Sequence, residues 1–183
     1  MIANIKYTDT QISKILKTAR IIIDKREQNC EHIIEHFTSK GIDFTRRSLD
    51  FGDYSIEIPK NEELGVPFDM SFEKQVVVEL KHSGRSGLDE LAGNLTDGRT
   101  AFENEFTKTI PFGCRIYLVC SNGSWEKIDK HSYQSQLGEK AFYNSLLSFS
   151  WKYNLHIHFI NEDKLGQHIY RILIVALKKL MES

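Results

Sequence analysis

The chain predicts an α/β fold, on three observations. Short apolar runs alternate with amphipathic stretches along its whole length. No linker, internal repeat or low-complexity tract interrupts that alternation. Its 183 residues, 40% hydrophobic and 11% aromatic, suit one domain with a full core. The expectation is a single domain over 1–183, with a core from about residue 20 to 160 and a closing helix over 162–182.

Taken in order, residues 10–18 predict a short helix. "RIIID" (20–24) predicts a buried strand. "EQNCEHIIEHFTSKG" (27–41) predicts an amphipathic helix with Ile33, Ile34 and Phe37 on one face and Gly41 as its stop. "DFTRRSL" (43–49) and "DYSIEI" (53–58) predict two strands joined by the tight turn "DFGD". Residues 59–74 hold two of the three prolines and predict a loop. "QVVVELK" (75–81) is the next strand. Leu88, Leu91 and Leu95 recur at helical spacing, and "DGRTAFENEFTKT" (97–109) predicts a separate helix with Phe102 and Phe106 on one face. "CRIYLVC" (114–120) reads as a central strand, with Cys114 and Cys120 as core thiols. A long helix (138–154), a strand "LHIHFI" (155–160) and the closing helix complete the chain. In that last helix Ile169, Ile172, Leu173, Val175, Ala176, Leu177 and Leu180 cover more than one stripe. Burial of the whole helix or a partner chain on its second face would each explain this.

Bulk properties exclude several classes. No apolar run approaches the ~20 residues of a membrane span. The N-terminus has no signal-peptide pattern, so a cytoplasmic protein is expected. Three cysteines lack metal-ligand spacing. The formal charge of −1 argues against nucleic-acid binding by bulk electrostatics, although a local basic patch beside an acidic site is compatible with it.

The chemistry gathers around "VVVELK". Strand side chains alternate, so Val76, Val78 and Leu80 face one way and Val77, Glu79 and Lys81 the other. An isolated buried carboxylate is costly unless a partner or metal compensates, and Lys81 alone would suffice for Glu79. Asp53 changes the balance, because it begins the preceding strand. If 53–58 and 75–81 pair as an antiparallel hairpin, Asp53 lies near residue 80. It shares the face of Glu79 and Lys81 only in a register whose paired residue numbers add to an even value. Two carboxylates and an ammonium at one point suit phosphodiester hydrolysis. The acids hold a hard cation such as Mg²⁺ (or Mn²⁺), and the lysine positions water or offsets transition-state charge.

The segments "IIIDKREQN", "LDFGDYSI", "VVVELKHSGRSGLDEL" and "LTDGR", in that order, resemble the nuclease domain of the XPF-type structure-specific endonucleases of the PD-(D/E)XK superfamily. The matched positions are Asp24, Arg26 and Glu27; Gly52, Asp53 and Tyr54; Glu79 and Lys81; Asp89 and Leu91; and Gly98 and Arg99. The stretch "FYNSLLSFSWKYNLHIHFI" is also similar to the family's helix and following strand. The resemblance implies a central mixed sheet flanked by helices, restriction-endonuclease-like. It implies Asp53 and Glu79 as metal ligands, Lys81 as the catalytic lysine, Asp24 as a further acid at the metal directly or through water, Glu27 at the edge, and Arg26 and Arg99 in support or on DNA phosphate. Leu80 stands where the family has Arg, and the spacing to Asp89 is longer than the family's. The tandem helix-hairpin-helix module that often follows is not represented, so DNA grip or dimerisation would come from this domain, as a homodimer, or from a separate DNA-binding protein. The compact form resembles versions carried by phages and mobile elements.

The resulting expectation is a Mg²⁺- or Mn²⁺-dependent endonuclease cutting branched or flap-like DNA in recombination, replication or repair. A Holliday junction resolvase or restriction-like nuclease on the same core is the second reading, and an inactive DNA-binding or dimer partner the third. Other residues carry two readings each. His82 and Arg85 touch phosphate or belong to a solvated loop. Arg46 and Arg47 contact DNA or form an exposed strand edge. His156 and His158 have the spacing of a metal-ligand pair, but a half-buried strand with a polar face explains them better. Trp125 and Trp151 stack on bases or pack against helices, with packing the favoured reading. Arg99 and Glu103 are spaced to pair on a helix.

Overall fold

In the computed structural model, residues 7–82 and 86–183 are described. The β-branched run Arg20–Asp24 forms β1, whose Ile21, Ile22 and Ile23 are all fully buried. A strand apolar on both faces belongs inside a sheet, and β1 lies between two partners. It runs parallel to β2 (Phe44–Arg47) and antiparallel to β3 (Tyr54–Ile58). The segment "DFGD" is therefore no hairpin turn: β2 and β3 are kept apart by β1, whose buried faces need a neighbour on each side. Beyond β3 come β5 (Val76–Lys81), β6 (Arg115–Ser121) and β7 (Leu155–Ile160), the last three mutually parallel. The 59–74 segment is not wholly irregular. It carries the two-residue strand β4 (Met70–Ser71), which pairs with β3, and a 3₁₀ turn at Glu62–Leu64. The result is a mixed seven-stranded sheet among the described residues, ordered β2-β1-β3-β5-β6-β7 with β4 off that path.

Helices cover both faces. On one side α1 (Asp9–Ile15), α2 (Glu31–Ser39) and α7 (Leu165–Glu182) pack over Ile21, Ile23, Tyr54, Ile56, Val78 and Leu80. On the other, α3 (Gly87–Leu95), α4 (Arg99–Thr107), α5 (Trp125–Asp129) and α6 (Glu139–Tyr153) pack over Val77, Ile116, Leu118 and Cys120. Helix α2 starts four residues later than its apolar pattern predicts. The Asp24 carboxylate takes the Arg26 backbone N–H into a turn, and Asn29 adopts a positive φ of 55° before the helix begins. Helix α7 buries Ile169, Ile172, Leu173, Ala176 and Leu177, while Val175 stays exposed. Among the described residues no helix is long and apolar enough to cross a membrane.

Two glycines set the site's backbone. Gly52 has φ +72°, and a Cβ there would lie 2.8 Å from the Val77 Cβ. The chain can enter β3 this close to β5 only without a side chain at that point. A Cβ on Gly87 would lie against the Lys81 carbonyl oxygen. The start of α3 thus seats directly on the exit of β5, which brings the helix's polar face to the site.

Candidate active site

The one pair that sets the β3–β5 register is Tyr54 with Val78, an even sum, and the strands run antiparallel. Asp53 and Glu79 are therefore opposite one another and on the same face. The Asp53 N–H donates to the Val78 carbonyl at 2.8 Å, and its Oδ2 accepts from the Leu80 N–H at 2.7 Å. Asp24 ends β1 opposite Asp53, its N–H donating to the Asp53 carbonyl at 2.7 Å. Three adjacent strands thus deliver Asp24, Asp53, Glu79 and Lys81 to one face.

Their electrostatics differ. Burial pushes the Asp53 carboxyl well above the usual carboxylate range, and the charges of Glu79 and Glu27 push it further. Lys81 and the Leu80 N–H only partly oppose them. Glu79, 5% exposed, is also raised by burial, against the pull of Lys81. The Lys81 amine donates to Glu79 Oε1 at 2.7 Å and lies 3.3 Å from Glu90 Oε1. Burial would push that amine down, but the carboxylates around it raise it instead, so it remains an ammonium. Its Nζ stands 5.2 Å from the centre of the Phe102 ring. Asp24 is of a different kind. Burial raises its carboxyl, yet hydrogen bonds outweigh this and hold it below the usual range. Its Oδ1 accepts from the Arg26 N–H and Nε, and its Oδ2 from Arg26 Nη2 and the Leu49 N–H, at 2.6–3.1 Å.

These groups open into a cleft of about 360 Å³. Asp53, Glu79, Lys81 and Arg26 form one wall, and Asn94, Phe102 and Glu105 from α3 and α4 the other. Glu27 lies beside the cleft, its Oε1 3.0 Å from His82 Nε2, and that bond raises the imidazole pKa. Arg46 donates to the Glu27 carbonyl at 2.6 Å. Arg47 is drawn to Glu73 at 2.7 Å and Glu57 at 3.5 Å. Arg99 caps no part of the cleft; it pairs with Glu103 at 2.9 Å over the Phe149 ring. Arg85 lies outside the described residues. His158 bonds to His168 at 2.7 Å and His156 stacks on Tyr117. Trp125 packs against Tyr143 and Phe159, whereas Trp151 is 92% exposed, because its position on α6 faces away from α4 and the sheet.

Asp89 does not reach the site; its Oδ1 accepts from the Gln134 N–H instead. The next residue, Glu90, is the acid that meets Lys81 and also takes the His82 N–H at 3.1 Å. Glu90, Asn94 and Glu105 escape a reading by motif. Helical spacing finds them: Glu90 and Asn94 are four apart on α3, and Phe102 and Glu105 three apart on α4.

The donor chemistry suits a hard divalent cation. Two buried carboxyls oppose each other across neighbouring strands, each raised by the low-dielectric setting, and a cation between them would relieve both penalties. Among the described residues no cluster of three or more His, Cys, Asp or Glu side chains has metal-binding geometry. Two carboxylates, with the remaining positions left to water and phosphate, is the habit of Mg²⁺ rather than of an all-protein cage.

No curated relative matches the chain. Among solved structures it is similar to XPF from Aeropyrum pernix, with a TM-score of 0.59 and 15% identity over 85% of this chain and 66% of that one. It is also similar to XPF from Aeropyrum pernix in complex with DNA, with a TM-score of 0.55 and 16% identity over 88% of this chain and 64% of that one. The chain thus spans just under two thirds of both, and the likeness establishes the restriction-endonuclease-like fold. The ERCC4 domain model matches residues 23–172, from the strand that carries Asp24 to the middle of α7 and across every acid of the cleft. On that match the chain belongs to the ERCC4 domain family.

Proposed function

We propose that the protein is a divalent-metal-dependent DNA endonuclease that hydrolyses phosphodiester bonds in branched or flap-like DNA. The observation that carries this reading is the shared face of Asp53 and Glu79, with Lys81 alongside. Family membership and the DNA complex of the Aeropyrum XPF support DNA as the substrate. Mg²⁺ or Mn²⁺, when bound, supplies positive charge against the phosphate and acidifies a water.

The chain's own residues do the rest. Asp53 and Glu79 form the cation site, since Lys81, although bonded to Glu79, does not offset the burial that raises both carboxyls. Lys81, held as an ammonium by Glu79 and Glu90, offers fixed positive charge to the phosphoryl oxygens as they gain charge. Asp24 acts through Arg26, which it grips bidentately at the cleft wall, where the guanidinium can meet a phosphate. Glu27 and His82 close the neighbouring edge. Recombination, replication or repair of phage or mobile-element DNA in the host cytosol is the proposed setting. A homodimer through α7, next to the exposed Val175, accompanies this reading, and a separate DNA-binding protein is the other source of grip. Light scattering that finds only monomer at high concentration rejects the homodimer.

The test is a cleavage panel of flap, fork, four-way junction, single strand and duplex, each with and without Mg²⁺ or Mn²⁺. Metal-dependent cutting that favours branched DNA is expected, lost in Asp53→Asn with DNA binding retained. Cutting confined to four-way junctions, or linear duplex cut as fast as branched DNA, would move the protein to a resolvase or restriction-like role. Undiminished cutting by Asp53→Asn would reject the site.

A further inference from the structure

Asn94 stands one helical turn beyond Glu90 on α3, so the two side chains leave the same helix face. It lines the cleft that holds Asp53, Glu79 and Lys81. Its Oδ1 is buried without a hydrogen-bond partner. An unsatisfied buried carbonyl costs about 1–3 kcal/mol. Packing does not account for that cost, because an apolar side chain of similar size would fill the space without it. With the carbonyl turned inward, the Nδ2 group is the polar end left to meet the cleft. Nδ2 lies beside Gly98, another residue of the cleft lining: a Cβ there would stand 3.6 Å from it, an ordinary contact distance.

The other polar side chains lining the cleft are charged. Asp53, Glu79 and Glu105 repel a phosphate, while Lys81 and Arg26 meet it as charges, each already paired with carboxylate. Asn94 is the one uncharged polar side chain lining the cleft among the described residues. A cationic donor at this position would fold onto the carboxylates that must stay open. A neutral amide would not, and it can still donate to an anion.

We propose that Asn94 is a phosphate-positioning residue: its amide Nδ2 donates a hydrogen bond to a non-bridging oxygen of the DNA phosphate in the cleft, turning that phosphate toward Asp53 and Glu79. The effect on cleavage rests on the nuclease reading; the contact with phosphate does not.

Three variants and three readouts test it. Asn94→Ala removes an unsatisfied group, so its melting temperature should equal or exceed the parent's, while single-turnover cleavage of a branched substrate falls by roughly 10²-fold. Asn94→Asp, isosteric but anionic, should cut no better than the alanine variant. Asn94→Ser, which keeps a donor, should recover part of the rate. Independently of cutting, the Asn94 side-chain amide signals, assigned by their loss in Asn94→Ala, should shift in NMR spectra when branched DNA is added in Ca²⁺. Alanine cleavage within about threefold of the parent overturns the assignment. So does a rate that falls only in step with lost stability, with serine giving no recovery. If the parent cuts no DNA, the nuclease reading fails by itself. The amide signals then decide Asn94: a shift with DNA supports phosphate contact, and unmoved signals overturn it.

Discussion

Asp24 and Asp53 lie opposite each other on adjacent strands and point to the same face, yet the protein treats them in opposite ways. Asp24 receives four hydrogen bonds from Arg26 and Leu49, and its carboxyl is held below the usual range. Asp53 receives one side-chain hydrogen bond, faces Glu79, and has its carboxyl pushed well up by burial and by like charge. One carboxylate is bound into the structure. The other is kept under electrostatic stress beside an open cleft. A buried charge placed against a like charge stabilises nothing in the free protein, and such stress marks functional sites. The contrast separates a carboxylate satisfied by the scaffold from one left unsatisfied beside the cleft, although motif and burial would group them together.

The largest expected effect is on catalysis. Asp53→Asn should abolish metal-dependent cleavage, a loss of at least about 10²-fold, while raising the melting temperature of the metal-free protein by roughly 2–4 °C. Differential scanning calorimetry and a flap-cleavage assay read the two halves. Asp24→Asn should do the reverse in stability. Losing charge-assisted hydrogen bonds should cost about 1.5–3 kcal/mol in urea unfolding. If both substitutions moved stability the same way, the contrast would be broken.

Titration sharpens it next. The raised carboxyls of Asp53 and Glu79 contribute stability that is complete below their unfolded values, near about 4, and lost as pH rises through their folded values. The depressed carboxyl of Asp24 contributes stability above about 3.9 that is lost as pH falls through its folded value. In metal-free melting curves, Asp53→Asn should flatten the decline on the higher-pH side, and Asp24→Asn the decline on the acid side. Cation binding must deprotonate both raised carboxyls, so affinity and cleavage should fall together as pH is lowered. A smaller effect is expected at Glu90. Glu90→Gln should slow cleavage by about tenfold, because Lys81 keeps Glu79 but loses its second carboxylate. Arg47→Ala should be the mildest. Its ion pairs run inward across β1 to Glu57, four residues along β3 from Asp53, and to Glu73, and Arg47 does not line the cleft, so unfolding should shift by about 1 kcal/mol or less with cleavage intact.

Much of this was readable in the residues, for physical reasons. The run "VVVELK" alternates so regularly that Glu79 and Lys81 had to share a face, and each strand and major helix has an apolar period of its own. What the chain does not carry locally is pairing. The tight "DFGD" segment looks like a hairpin turn, and only the demand of β1 for a neighbour on each side separates β2 from β3. Register was open for the same reason, since a one-residue slip turns Asp53 to the other face. The far wall of the cleft was hidden because Glu90, Asn94 and Glu105 belong to helices whose apolar stripes are read first, and their polar neighbours matter only once α3 is seated on the exit of β5 through Gly87. Trp151 shows the opposite failure: a large aromatic in an amphipathic helix reads as packing, and here it faces solvent.

The most direct measurement is anomalous diffraction from crystals soaked in Mn²⁺. A cation peak is expected about 2 Å from an oxygen of Asp53 and from an oxygen of Glu79, with the Lys81 ammonium beside it. A saturating soak that leaves this point empty, or a peak held by one of the two carboxylates while the other turns away, would contradict the shared cation on which the enzymatic reading depends.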